Sequence, residues 1–341
     1  MDRDLKLPVY LEDDLLAVAR YYAHDSKAQC IDVSKMAFPT GHFIPSEEML
    51  SSVSTRLKAM VEAIELRIAP PPTAGLAAQP DGRGPHSWDM LSRSGFLKEP
   101  ALIDFLLARF SESRLEAKIA GADDVNVTEQ LPALCLENDD LNVAEMAQAL
   151  LASESLNRRS HKNLYRELPP ESLHQLVWRV VAALQILSGD KNETHISNAK
   201  LLLSEQDEAQ TRRAAARKLA LFLPATYDAE VLVPQKAGLS LFTAKLAAHT
   251  GLEHDHILRL IGGHSAAPLA MMLRVAGLDR ENAMAVICLF KGFELTPHEV
   301  TIFDTGYDRT DPADIRAELS SWAEQRARFL AFPGGLNGDI V

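Results

Sequence analysis

From Ser87 almost to the end, apolar positions along this chain recur three and four residues apart, the spacing of one face of a helix. The pattern predicts helices over 87–94, 99–119, 128–136, 141–155, 170–188, 194–203, 206–222 and 226–233. It continues with 240–249, 253–261, 266–275, 280–290, 297–304 and 312–331. Pro100, Pro170, Pro297 and Pro312 fall where a first helical turn tolerates a missing N–H. Gly189, Gly251, Gly277 and Gly292 fall just past the expected ends, where a left-handed residue stops a helix. No stretch alternates with period two for long enough to predict a strand.

Residues 1–69 carry a separate pattern. Glu12 to Ala23 reads as a helix with Leu15, Leu16, Val18 and Ala19 on or beside its apolar face. Pro45-Ser46-Glu47-Glu48 reads as a helix start, with Ser46 as cap and the acidic pair facing the positive helix end. Leu50, Val53, Leu57, Met60 and Ile64 then form a narrow seam. A helical pair cannot bury that seam alone, so it either docks on the rest of the chain or forms a homodimer through the 46–68 helix. Residues 70–86 crowd Pro and Gly, with no apolar period, and read as a linker. The expected layout is a helical pair over 1–69, the linker, a repeat domain over 87–332 and a flexible tail over 333–341.

Two phrases inside the repeat domain echo each other. Thr250-Gly251-Leu252-Glu253 and Ala276-Gly277-Leu278-Asp279 each end a helix at Gly, continue with Leu, and open the next helix with acid. A third phrase runs from Asp207 to Leu219, with Arg212, Ala215 and Leu219 spaced as in the second half of a HEAT repeat. On the Arg212–Leu219 phrase and the run from Leu246 to Leu278, the segment from about 128 to 332 resembles a family of bacterial HEAT-like helical proteins of uncharacterised role, domain of unknown function 2336. The resemblance implies an all-α fold, a HEAT-like α-solenoid of helical hairpins, and it transfers no catalytic residue. Such arrays bury their faces against neighbouring units and more often hold other molecules than transform them.

Composition sharpens this picture. Aromatics make up only 6% of the chain, which suits helix on helix better than a sheet. A net charge of −12 disfavours nucleic acid and anionic membrane as partners. Cys30, Cys135 and Cys288 are scattered and odd in number, so they predict buried thiols rather than disulfides or a zinc set. A charged start, Met1-Asp2-Arg3-Asp4, and the lack of any apolar run near the ~18 residues that span a bilayer predict a cytoplasmic protein.

Two groups of residues carry candidate chemistry. His249, His254, His256 and His264 lie in one short stretch with Glu253 and Asp255, types that bind zinc, iron or manganese. Their spacing is poor for a helical metal motif, because Gly251 separates His249 from Glu253 and His254 and His256 point apart. Exposed turn residues are the plainer reading. The alternative function is a metal-dependent phosphohydrolase using the 249–264 histidines; the His254-Asp255 pair, with His195 and Asp304 recruited from elsewhere, is a further variant that nothing in the spacing demands. Gly262-Gly263-His264-Ser265 reads as a turn between helices, without the Lys of a phosphate-binding loop. Arg212, Arg213, Arg217 and Lys218 form a basic stripe suited to an acidic protein partner, and Arg158, Arg159, His161 and Lys162 form another. The sequence therefore predicts a non-enzymatic scaffold or adaptor, needing no cofactor, that binds another protein.

Overall fold

The computed structural model describes residues 15–20, 46–70, 87–95, 97–122, 130–159, 161–189 and 193–331. The predicted linker beyond Pro70, the tail, Cys30 and the ends of the first predicted helix lie outside them, as do the side chains of Arg158, Arg159, His161 and Lys162. Among the described residues every regular element is helical. None of these helices is long and apolar enough to cross a membrane.

Helix limits follow the punctuation of the sequence. Helices start at Pro100, Pro170, Pro297 and Pro312, and end against Gly189, Gly251 and Gly292. The two echoing phrases make similar corners. Gly251 (φ 71°) and Gly277 (φ 85°) are left-handed, a conformation a side chain would strain. After the Ala267–Val275 helix, the Gly277 N–H donates to the Arg274 carbonyl and the Leu278 N–H to the Leu273 carbonyl. Asp279 then caps Arg280–Lys291 by accepting the Asn282 N–H at 2.9 Å.

The chain divides into two compact units. One gathers the described residues within Cys30–Phe110 and Ala149–Ala215. Here the Glu47–Ile68 helix starts as expected, with the Ser46 hydroxyl accepting the Met49 N–H. Its seam residues Val53, Leu57, Met60 and Ile64 are all buried. They pack against the His161–Glu167 turn and the Pro170–Ser188 and Glu193–Ser204 helices, so this helix does not stand apart. Full burial of such side chains contributes roughly 1.5–3 kcal/mol each, and here it is achieved within one chain. A homodimer through this seam would find it already occupied. Arg67 pairs with Glu205, and the Asn198 amide donates to the Ile68 carbonyl at 2.8 Å, fastening the end of the helix.

The other unit gathers the described residues within Met1–Gln29, Ser111–Gln148 and Ala216–Val341. From Pro234 to Lys291 each helix packs on the next. The Pro312–Ala331 helix returns to pack on Leu239–Thr250 and Ala267–Val275. Arg20, from the short helix over 15–20, pairs with Glu318 at 2.7 Å. The Tyr307 ring is fully buried, its hydroxyl donating to the Leu278 carbonyl at 2.9 Å and the Arg274 guanidinium lying 5.6 Å from its centre.

Candidate functional site

The predicted basic stripe is divided by its helix. That helix begins at Arg212, not near 206: Asp207 caps a separate turn, Glu208–Gln210. The Glu167 carboxylate accepts the Arg212 N–H at 2.9 Å, placing a negative charge at the positive helix end. The Arg213 guanidinium donates to the Glu167 carbonyl at 2.7 Å. The Arg212 side chain is buried and Arg213 half-buried. The Arg212 backbone and the Arg213 guanidinium are thus both tied to Glu167. Arg217 and Lys218 are exposed, as are Leu221 (64%) and Phe222 (53%). Residues four apart are neighbours on a helix surface. Arg217 thus adjoins Leu221 and Lys218 adjoins Phe222, giving one exposed face that is basic toward one end and apolar toward the other. Ala215, Ala216, Leu219 and Ala220 form the buried face.

The histidines do not converge. His249 lies in the last turn of Leu239–Thr250, and the helix stops at Gly251 as predicted. Burial, then the nearby Lys245, depresses the His249 imidazole pKa. Lys245 itself pairs with Asp228 at 2.5 Å. His254 opens the His254–Gly262 helix, and His264 stands exposed beyond Gly263. His256 departs from the expected exposed turn: it is buried, and burial, with Arg326 and Arg259 nearby, pushes its pKa down to about 3. Asp304 pairs with Arg280 at 3.0 Å, on the surface. Among the described residues no three His, Cys, Asp or Glu side chains gather as metal ligands do. The alternative hydrolase reading finds no ligand set there.

The chain matches no known protein family, curated protein or solved structure.

Sequence reading missed one charged cluster altogether. Gly262 and Gly263 end the His254–Gly262 helix where it meets Ser111 of Pro100–Ala120; a Cβ on Gly262 would lie 2.7 Å from the Ser111 Cβ. The nearby N–H groups are directed to protein acceptors, Ala267 to the Ser265 hydroxyl (3.1 Å) and Ala266 to the Glu299 carboxylate (3.3 Å). The glycine pair thus makes a close crossing, in keeping with the predicted turn. Lys291, only 3% exposed, donates to the carbonyls of Ile261 (2.8 Å) and Gly263. Burial holds its pKa down to about 8. Lys118 donates to the Phe290 carbonyl at 2.5 Å and to the Glu294 carboxylate at 2.9 Å, and Arg114 lies 3.9 Å from the same carboxylate oxygen. Only its place beside an apolar helix face, just before Gly292, marks Lys291 in the sequence. Leu221 and Phe222 had a clearer mark: both lie off the face made by Ala215, Ala216, Leu219 and Ala220.

Proposed function

We propose that this chain is a non-enzymatic, HEAT-like helical scaffold that binds a protein partner. The observation that carries the reading is the exposed face Arg217, Lys218, Leu221 and Phe222. Exposed aromatic and arginine side chains such as Phe222 and Arg217 are among the types that protein interfaces enrich. The stacked helices from Pro234 to Lys291 support the HEAT-like description. The basic side of the face suits a partner segment that is acidic as well as apolar. The test compares two forms of the full chain as bait in native extract. The Leu221→Ser, Phe222→Ser variant should lose a partner that the unaltered chain retains, with an unchanged melting curve. Identical sets of captured proteins from both forms would refute the assignment of this face.

A further inference from the structure

The unit that carries the Arg217–Phe222 face carries a second apolar surface of opposite charge. The short turns Leu131–Leu134 and Cys135–Glu137 lead into the Leu141–Arg159 helix. The turns bury Leu131 and Cys135, and the start of the helix buries Val143 and Ala147. Between them the chain bends sharply. The Asn138 N–H donates to the Cys135 carbonyl at 3.3 Å, and the Asp140 N–H to the Asn138 side chain at 2.9 Å. The Asp140 carboxylate then accepts the Asn142 N–H at 2.9 Å, as a helix cap does. This compact corner leaves three leucines exposed, Leu134, Leu136 and Leu141. Leu141 is 76% exposed in a first helical turn, where helices favour acidic residues. Glu137, Asp139 and Asp140 are exposed in the same stretch. The corner is thus apolar and acidic, whereas the other face sets Leu221 and Phe222 beside the Arg217 guanidinium.

We infer that the partner of the Arg217–Phe222 face is a second copy of this chain, which offers it the Leu134–Leu141 corner. The inference rests on the reading of that face as a binding surface. Each surface exposes what the other covers: apolar side chains meet apolar side chains, and the guanidinium meets carboxylates. An arginine takes a carboxylate with two parallel hydrogen bonds, and aromatic and arginine side chains anchor interfaces. No outside partner is needed, because both halves of the match are written in one sequence. Neither surface matches itself, since two basic faces or two acidic corners would repel. The contact is therefore heterologous, one surface of each kind, and it either closes on itself or adds further copies. The net charge of −12 opposes association at long range. At physiological salt, charges more than about 8 Å apart are largely screened, so pairs in direct contact outlast that repulsion.

The experiment follows the full-length protein by sedimentation velocity across the micromolar range. The unaltered chain should grow beyond a single copy as its concentration rises. Arg217→Glu should weaken association by about tenfold or more, and so should the pair Glu137→Lys, Asp139→Lys. All three positions are exposed, so both variants should keep the melting curve of the unaltered chain. Mixing the two variants brings opposite charges together again at both kinds of contact, reversed in one and native in the other, and should restore the assembly. A chain that stays single at every concentration would overturn the inference, and so would a mixture that associates no better than its components. The two readings fail separately. A different protein captured by a chain that stays single, and lost with Leu221→Ser, Phe222→Ser, removes the second copy and keeps the face. Self-association that needs Glu137 and Asp139 but neither Arg217 nor the Leu221–Phe222 pair removes the face and overturns this inference with it.

Discussion

Replacing Gly262 with alanine adds one methyl group where two helices already touch. Its Cβ would stand 2.7 Å from both the Cβ and the hydroxyl oxygen of Ser111. A rotamer change can move the hydroxyl, but the Ser111 Cβ is fixed by the backbone of its helix. Ordinary carbon contacts lie at about 3.5–4.0 Å, so the helices must part by roughly 1 Å. Overpacking of this kind costs about 1–3 kcal/mol. The backbone favours alanine, since Gly262 is not left-handed, and this gain in helix propensity offsets up to about 1 kcal/mol. The expected net loss is about 1–2 kcal/mol, or roughly 1–3 °C in melting temperature for a chain of this length. A double-mutant cycle by urea denaturation isolates the contact. Ser111→Gly removes the opposing Cβ and weakens its own helix, yet the pair Gly262→Ala, Ser111→Gly should be more stable than the sum of the single changes by about 1 kcal/mol or more. If Gly262→Ala proves as stable as the unaltered chain, or the two changes simply add, the close crossing is not what requires glycine.

Two further predictions concern pH. The Lys291 ammonium loses its proton near pH 8 in the folded chain, against an ordinary value of 10.5. The folded chain gives up this proton before the unfolded chain does, so stability rises as pH climbs from about 8 toward 10.5, by up to roughly 3 kcal/mol. Lys291→Met should remove that rise from the denaturation profile, and an unchanged slope would contradict the caged lysine. The opposite end of the scale reports on His256: unfolding restores a proton acceptor with a pKa near 6.5, while the folded imidazole stays neutral down to about 3. Stability should fall as pH drops from about 6.5 toward 3. His256→Gln should flatten that fall, and a nuclear resonance titration showing His256 charged at pH 5 would refute its burial.

The helices were legible because their limits are local. A proline at the first turn or a glycine after the last acts within a few residues, and the chain obeys it at Pro170, Pro297, Gly189 and Gly251. The 206–222 helix starts later than its sequence predicts because its cap comes from Glu167, far away in sequence. The same distance hid the fate of Arg212 and Arg213. A basic stripe looks identical on paper whether it faces water or another helix, and only the partner decides. Polarity predicts an exposed turn residue at His256, whereas the short His254–Gly262 helix buries most of its surface, Asp255 and Arg259 included. The Arg114, Lys118 and Glu294 grouping brings together two helices and a turn distant in sequence, and no periodicity could have joined them.

The interleaving of the two units bears on how this protein is made and how it can be cut. The unit drawn from Cys30–Phe110 and Ala149–Ala215 has all its residues once synthesis passes Ala215. The contacts that the segment Ser111–Gln148 makes with residues beyond Ala216 must wait until those residues are synthesised. During translation its buried leucines therefore spend time without their partners, an interval in which long-range pairing is slow and aggregation competes. The same threading means that no single break can release either unit whole. A truncation that removes an end strips residues from a unit whose remainder lies elsewhere in the chain, so this gene is divisible by internal splicing but not by trimming.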